Sequence, residues 1–460
     1  MIGKYAYGNI IYPLYHWVKR DGVNKRVAEL ERNQWLSADE LAALQRKKLY
    51  RLLTFARHNV PYYRDAVSGD FPSSTSHDDL LGKLQRMPML TKDVIRSNLA
   101  RLTSEDLAGN PLEKNSTSGS TGEPLRFYTD FRSSTYRKAA AIRNNSWAGI
   151  TLGDRSVNLW GSPIDASRAS EFRGRLHGLL TGSRLLSAYT MTNDRMNHYI
   201  SVICRFKPTL LVSYPSILET FADHCTNVGV HFTSITAVIT SAETLWPHQR
   251  ELFETVFGAQ IFNRYGSREV GGIAHECSEH RGLHVNADRV LVEVLDKNGN
   301  LCNPGQIGEI VVTDLDNFGM PFIRYRIGDN AAWSAEKQCP CGRSMPLLSV
   351  IEGRSMDVVR APNGNRLGGT FWTILFRAKP GIRQVQVLQE HMDGIKVRFV
   401  PDATLENSAL EYFRHAIADK CGRTFRVEFE EVSCIEASIT GKKQLVIVND
   451  SIHKLPPELN

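Results

Sequence analysis

The pattern of apolar and polar positions changes character along the chain. Residues 37–59, SADELAALQRKKLYRLLTFARHN, set Leu41, Leu44, Leu49, Leu52, Leu53 and Ala56 on one stripe behind a Ser37–Glu40 capping box. That spacing predicts an amphipathic helix. Beyond residue 150, short apolar runs alternate with helical periodicity. Strands are predicted over 155–161, 209–214, 234–243 and 259–266, and helices over 193–206, 216–229 and 246–258. Strand–helix alternation of this kind predicts an α/β domain with a largely parallel sheet. From about 284 the pattern becomes short strands and turns, at 283–296 and 308–316. After about 355, strands at 383–390, 396–401 and 425–432 surround a helix at 407–422, which suits a small α+β domain. The expected organisation is a large N-terminal α/β domain, residues 1–355, and a small C-terminal domain, residues 356–460.

Composition narrows the classes. The chain has 460 residues, 42% hydrophobic and 23% charged, as expected of a globular protein with proper cores. Its 56 Lys and Arg are spread along the chain and leave a formal charge of +7. No basic tract marks a nucleic-acid partner, whereas a small polyanionic ligand fits the surplus. Eight irregularly spaced Cys do not form a secreted disulfide framework. The N-terminus, MIGKYAYGNIIYPLYHWVKRDG, is aromatic but broken by Lys4, Pro13 and Lys19. It falls short of the roughly 18–20 apolar residues of a membrane span, and no small-residue cleavage site follows it. A strand or helix packed on the main body is expected there, with weak membrane-surface contact as the other reading. A cytoplasmic location follows by default.

Several polar stretches have no use in a core. Residues 115–124, NSTSGSTGEP, read either as a flexible loop or as a loop whose N–H and hydroxyl groups wrap phosphate. A Walker loop is excluded, because Glu123 follows Gly122 where a Lys is required. In open α/β sheets ligands bind at the carboxyl ends of strands. Three such ends carry chemistry: TSAETL (240–245), NRYGSREVGG (263–272) following its strand, and FIRYRIGD (322–329), where a strand-like run ends on Asp329. Singly, Tyr265 suits packing, Glu269 a solvated surface and Asp329 a turn cap. Together they offer an aromatic face for a base, a carboxylate for Mg²⁺ and an acceptor for ribose hydroxyls.

In this order the motifs resemble those of the adenylate-forming acyl ligases, in the phenylacetate–CoA ligase-like branch that includes CapK-type proteins of capsule biosynthesis. STSGSTGEP looks like the family's phosphate loop, TSAETL and NRYGSRE like its adenine and magnesium motifs, and residues 308–329 like its ribose motif. Residues 341–359 resemble the approach to its hinge, and ITGKKQLVI (439–447) its C-terminal lysine motif. The resemblance spans nearly the whole chain. It implies ATP, Mg²⁺, a small carboxylic acid, and an acceptor that is CoA or else an amine, sugar or carrier protein. A catalytically silent nucleotide-binding homologue is the reading outside the enzyme class. It further implies that Thr117, Ser118, Gly119, Ser120, Thr121 and Gly122 hold the β- and γ-phosphates. Ala242 and Glu243 would line adenine, and Tyr265, with Asn263 and Gly266 in its motif, would stack on it. Ser267 would touch the α-phosphate, Glu269 would ligate Mg²⁺, Asp329 would accept the ribose hydroxyls, and Arg354 would approach ribose or phosphate. Lys442, favoured over Lys443 by the same likeness, would reach the reacting carboxylate from a mobile lid. Met356 stands where the family's hinge carries a carboxylate, which bears on domain rotation and on CoA use.

A metal cluster is the remaining expectation. Cys277 lies in ECSEHRGLH with His280 and His284, and Cys339 and Cys341 lie in CPCGR. Three Cys and one His suit a closed tetrahedral zinc site of structural type. The likeness to relatives pairing a CxC with an upstream Cys and a Gly-x-His favours His284 over His280.

Overall fold

The computed structural model describes residues 7–19, 21–66, 77–106, 111–117, 125–160, 182–188, 191–336, 338–354, 359–363, 365–367, 372, 375–376, 379, 381–402, 405–436 and 445–449. The chain divides into two compact units. The larger takes Met1–Ile327 and Ala331–Val350, the smaller Gly328–Asn330 and Ile351–Asn460.

The strands of the main sheet are β3 (Ser156–Trp160), β4 (Ser183–Ser187), β5 (Leu210–Ser213), β6 (Ala237–Ser241), β7 (Gln260–Ser267), β8 (Gly271–Glu276), β9 (Leu283–Val285), β10 (Val290–Leu295), β11 (Gly308–Asp314), β12 (Tyr325–Trp333) and β13 (Leu347–Arg354). Their order is β10-β11-β12-β13-β9-β8-β7-β6-β5-β3-β4. The run β4-β3-β5-β6-β7 is parallel, as the strand–helix alternation predicts, because crossover segments join its successive strands. The helices Asn193–Phe206, Pro215–Asn227 and Pro247–Phe257 match the expected segments. They cover β3, β5 and β6 with a core of Leu159, Leu211, Leu218, Phe221, Val238 and Phe253. Within this sheet the described pairings from β8 onward are antiparallel, so the texture changes at Gly271 rather than at 284. A hairpin of β1 (Leu112–Ser116) and β2 (Arg126–Asp130) stands apart from this sheet.

The helix Ala38–Asn59 forms as expected, with the Ser37–Glu40 capping box in place. Its buried stripe contains Lys48, which the apolar pattern misses. The Lys48 ammonium donates to the Asp288 carbonyl at 2.6 Å and to Asp316 at 3.1 Å. Burying a charge is tolerated only when it is paired this way. Nearby, Arg143 meets Asp288 at 2.8 Å, and Arg289 lies between Asp314 and Asp316 at 3.6 and 3.5 Å.

In the smaller unit β14 (Val359–Arg360) pairs with β15 (Arg366–Leu367), and a four-stranded sheet runs β18-β17-β16-β19, made of β16 (Ile382–His391), β17 (Gly394–Pro401), β18 (Arg426–Glu431) and β19 (Val446–Val448). The helix Asn407–Cys421 packs on it through Phe413 and Ile417, with Trp372 and Val397 in the same core. This is the predicted α+β pattern. Among the described residues no helix is long and apolar enough to cross a membrane.

Candidate active site and metal cluster

The parallel register sets the end of β6 beside the interior of β7, with Ser241 opposite Arg264. Just past β6, Ala242 adopts a left-handed backbone, φ 70°. A non-glycine residue rarely holds that conformation without constraint from its surroundings. It turns the chain sharply, so Ala242 and Glu243 follow the strand end that the sequence assigned to adenine. Trp160 and Tyr214, at the corresponding ends of β3 and β5, meet with ring centroids 4.2 Å apart.

Most of NRYGSRE lies in the strand predicted over 259–266, and β7 runs one residue beyond that end. β7 continues through Asn263, Tyr265, Gly266 and Ser267, and only Arg268–Val270 form the turn into β8. The cause is pairing, since Arg264, Tyr265, Gly266 and Ser267 all have partners on β8. Gly266 is required there, because a Cβ would stand 2.5 Å from the Gly271 carbonyl oxygen. The Asn263 amide donates to Glu276 at 2.7 Å, and Ser267 Oγ accepts from the Val270 amide at 3.2 Å. Both bonds fix the hairpin backbone.

Glu269 sits at the tip of this hairpin and is only 6% exposed, which rules out the solvated-charge reading. The Tyr325 hydroxyl donates to Glu269 Oε1 at 2.7 Å. Arg137, from the helix Phe131–Trp147, donates to the Arg268 carbonyl at 3.0 Å and also to the Glu269 carbonyl. The same guanidinium reaches Asp314 at 3.4 Å. Burial pushes the Arg137 pKa down, with Asp314 opposing. The buried ionic network is thereby tied to the tip that carries the carboxylate. Sequence reading found Glu269 but neither residue that holds it.

The hairpin β1–β2 carries the hydroxyl-rich stretch. Thr117 closes its neck: its amide donates to the Leu125 carbonyl at 2.9 Å, and its Oγ1 accepts from the Leu125 amide at 3.1 Å. Ser118, Gly119, Ser120, Thr121 and Gly122 lie outside the described residues, as do Met356 and Lys442. Asp329 lies within β12 rather than at the end of a strand, so the expectation of a terminal Asp is corrected: the residues before Tyr325 are irregular and the strand begins there. Asp329 groups with the smaller unit. Arg354 is the last residue of β13.

The cysteine cluster assembles. One ligand atom from each of Cys277, His284, Cys339 and Cys341 lies within 4.8 Å of the others. Cys277 Sγ is 3.7 Å from Cys339 Sγ, and Cys341 Sγ is 3.3 Å from His284 Nε2. His284 Nδ1 donates to the Met345 carbonyl at 3.1 Å, which leaves Nε2 with its lone pair facing the thiols. Burial holds the His284 pKa down to about 4 and pushes Cys277 up to about 12. Burial also raises Cys341, but hydrogen bonds at Arg343 and the neighbouring thiols bring it below its ordinary value. Three thiols and one neutral imidazole, inward-facing and oriented by a carbonyl, fit a tetrahedral zinc donor set. His280 is engaged elsewhere, 5.0 Å from the Phe262 ring and 3.4 Å from Glu276.

Known proteins share this organisation. Residues 110–318 match the AMP-binding enzyme family and residues 361–449 the CapK C-terminal domain. Protein CapK of Staphylococcus aureus is 23% identical over 89% of this chain and 90% of its own length. Phenylacetate-coenzyme A ligase of Aromatoleum evansii is 28% identical over 91% of this chain and 97% of its own. The crystal structure of 2-hydroxyisobutyryl-CoA ligase in its postadenylation state shares the fold, with a TM-score of 0.71, 19% identity and 92% of each chain covered. The chain is an enzyme of the AMP-binding class, an adenylate-forming ligase. Within that class it belongs to the phenylacetate–CoA ligase-like family, CapK-type.

Proposed function

We propose that the protein activates a small carboxylic acid with ATP and passes the acyl group to CoA. The substrate carboxylate attacks the α-phosphorus, the bond to the bridging oxygen breaks, and pyrophosphate leaves with the electron pair. The CoA thiol then attacks the activated carbonyl and AMP departs. Such chemistry is mainly positioning and charge neutralisation. The observation that supports this reading most is Glu269, buried at a hairpin tip and oriented by Tyr325 and Arg137, where the family's magnesium motif falls. When bound, Mg²⁺ supplies charge neutralisation at the phosphates, and Glu269 would hold it. Residues 117–122 would hold the phosphates, Ala242, Glu243 and Tyr265 the adenine, Ser267 the α-phosphate, Asp329 the ribose, and Arg354 the ribose or phosphate. The C-terminal domain, from about residue 356, would act as a mobile lid bringing Lys442 to the reacting carboxylate. The relatives named phenylacetate-coenzyme A ligase make aryl acids the first candidates. The four-residue thiol and imidazole cluster would hold a structural Zn²⁺.

ATP–pyrophosphate exchange across carboxylic acids, phenylacetate included, tests the reading. Exchange with one acid, followed by CoA-dependent AMP release, is expected. Exchange without CoA consumption would assign an amine, sugar or carrier acceptor, and no exchange with any acid would assign a silent nucleotide-binding homologue. Lys442→Ala should abolish most of the exchange while sparing acyl transfer from preformed adenylate. Equal loss in both steps would remove Lys442 from its role.

A further inference from the structure

The N-terminal segment carries an apolar surface that the ligase chemistry does not use. A π-helical turn, Tyr7–Ile11, leads into the helix Tyr12–Lys19. One face is docked on the larger unit. Tyr7 and His16 are buried, the His16 ring meets Asp21 at 2.7 Å, and Asn24 donates to the Pro13 carbonyl at 2.8 Å. Gly8 allows close approach, since a Cβ there would stand 2.6 Å from the Leu152 carbonyl oxygen. The opposite face holds Ile10, Leu14, Trp17 and Val18, spaced four, three and one residues apart, and all are exposed: 57%, 54%, 73% and 67%. A stripe of this kind normally faces a core. Here it points outward from a helix whose other side is already fixed.

Charge separates the possible occupants. Residues 1–64 hold twelve Lys and Arg against five Asp and Glu, a balance of +7, which equals the surplus of the full chain. Residues 65–460 hold 44 of each and are neutral. Lys25, Arg32, Lys47 and Arg51 of this segment are exposed. An exposed apolar stripe with a Trp, set in a basic part of the chain, matches an in-plane membrane contact in which side chains enter the headgroup boundary and bases attract anionic lipid. A second copy of this chain would bring the same positive charge to the face and be repelled. The helix is also too short to span a bilayer.

We propose that the Tyr7–Lys19 segment binds an anionic lipid surface and holds the enzyme at a membrane face without crossing it. The test is co-flotation of the full chain with phosphatidylglycerol vesicles and with phosphatidylcholine vesicles. Binding to phosphatidylglycerol is expected, falling at least about tenfold when salt is raised and in the Leu14→Glu/Trp17→Glu double variant. Because both residues are exposed, the variant should keep the wild-type unfolding midpoint, and this control does not depend on any ligase activity. Variants unable to fold are replaced by Trp17→Ser, with the same expected direction. The proposal is overturned by failure to float with phosphatidylglycerol at low salt, by equal binding to phosphatidylcholine, or by unchanged binding in the variant. It is also overturned if size-exclusion shows a wild-type dimer that the variant converts to monomer, since the stripe would then be a contact between copies.

Discussion

The two ends of strand β8 are built from buried polar side chains, yet they are satisfied in opposite ways. At its start, the Glu269 carboxylate accepts from Tyr325, and the carbonyls of the tip accept from Arg137. At its far end, Cys277 joins two other thiols and His284, which meet only weakly at 3.3 and 3.7 Å. Thiol contacts of that kind contribute little to holding a chain in place, whereas the bonds at the tip are charge-assisted. The lesson is that preorganisation takes two forms. The tip is held by the protein and, on the proposed reading, would present a carboxylate to a ligand that comes and goes. The cluster is shaped by the protein and, on the proposed reading, would acquire its strength from a cation that stays.

The largest expected effect breaks the tip alone. Glu269→Gln keeps size and hydrogen-bonding shape while removing the charge, so exchange should fall on the order of 10²-fold with the unfolding midpoint nearly unchanged. Normal turnover at limiting Mg²⁺ would return Glu269 to the role of a buried structural acid.

Breaking the other end should do the reverse. A cation present at about a thousand times its Kd stabilises by about 4 kcal/mol, so removing it should lower the unfolding midpoint by several degrees. Cys339→Ser should lose bound zinc, measured by elemental analysis of protein purified without chelator or metal-affinity tag. Catalysis below the new midpoint should persist, since a closed four-ligand site does not activate water. Metal-free wild-type protein with undiminished stability would end the zinc assignment.

Sequence pattern revealed what depends on near neighbours and missed what depends on distant ones. The parallel strands, the capping box at Ser37 and the thiol cluster were legible because period, spacing and residue type carry them. NRYG was legible as the end of the strand predicted over 259–266, and pairing with β8 carries that strand one residue further, to Ser267, where the polar continuation reads as a loop. Lys48 interrupts an apolar stripe and is buried all the same, because Asp288 and Asp316 meet it from far along the chain. Arg137 was overlooked for the same reason: its targets lie 131 and 132 residues away. No local pattern marks a cation whose function is to hold two carbonyls of a remote turn.

Tyr325→Phe is the smallest of the expected effects and the one that best sharpens the contrast. The substitution removes one hydroxyl and keeps the ring, which packs 5.2 Å from Phe322. Glu269 would lose its donor at Oε1 but keep its charge and its Arg137-held backbone. A single hydrogen bond of this kind is worth about 1 kcal/mol net, or about fivefold in an equilibrium constant. The variant should therefore need about fivefold more Mg²⁺ for half-maximal exchange, with the rate at saturating Mg²⁺ close to wild type. That separation distinguishes orientation from chemistry, because a Tyr acting on the reaction itself would lower the saturated rate. A depressed rate at saturating Mg²⁺, with no change in the Mg²⁺ requirement, would show that Tyr325 serves something other than the carboxylate it holds. Zinc content should be the same in this variant as in the wild type, since the cluster lies at the other end of β8.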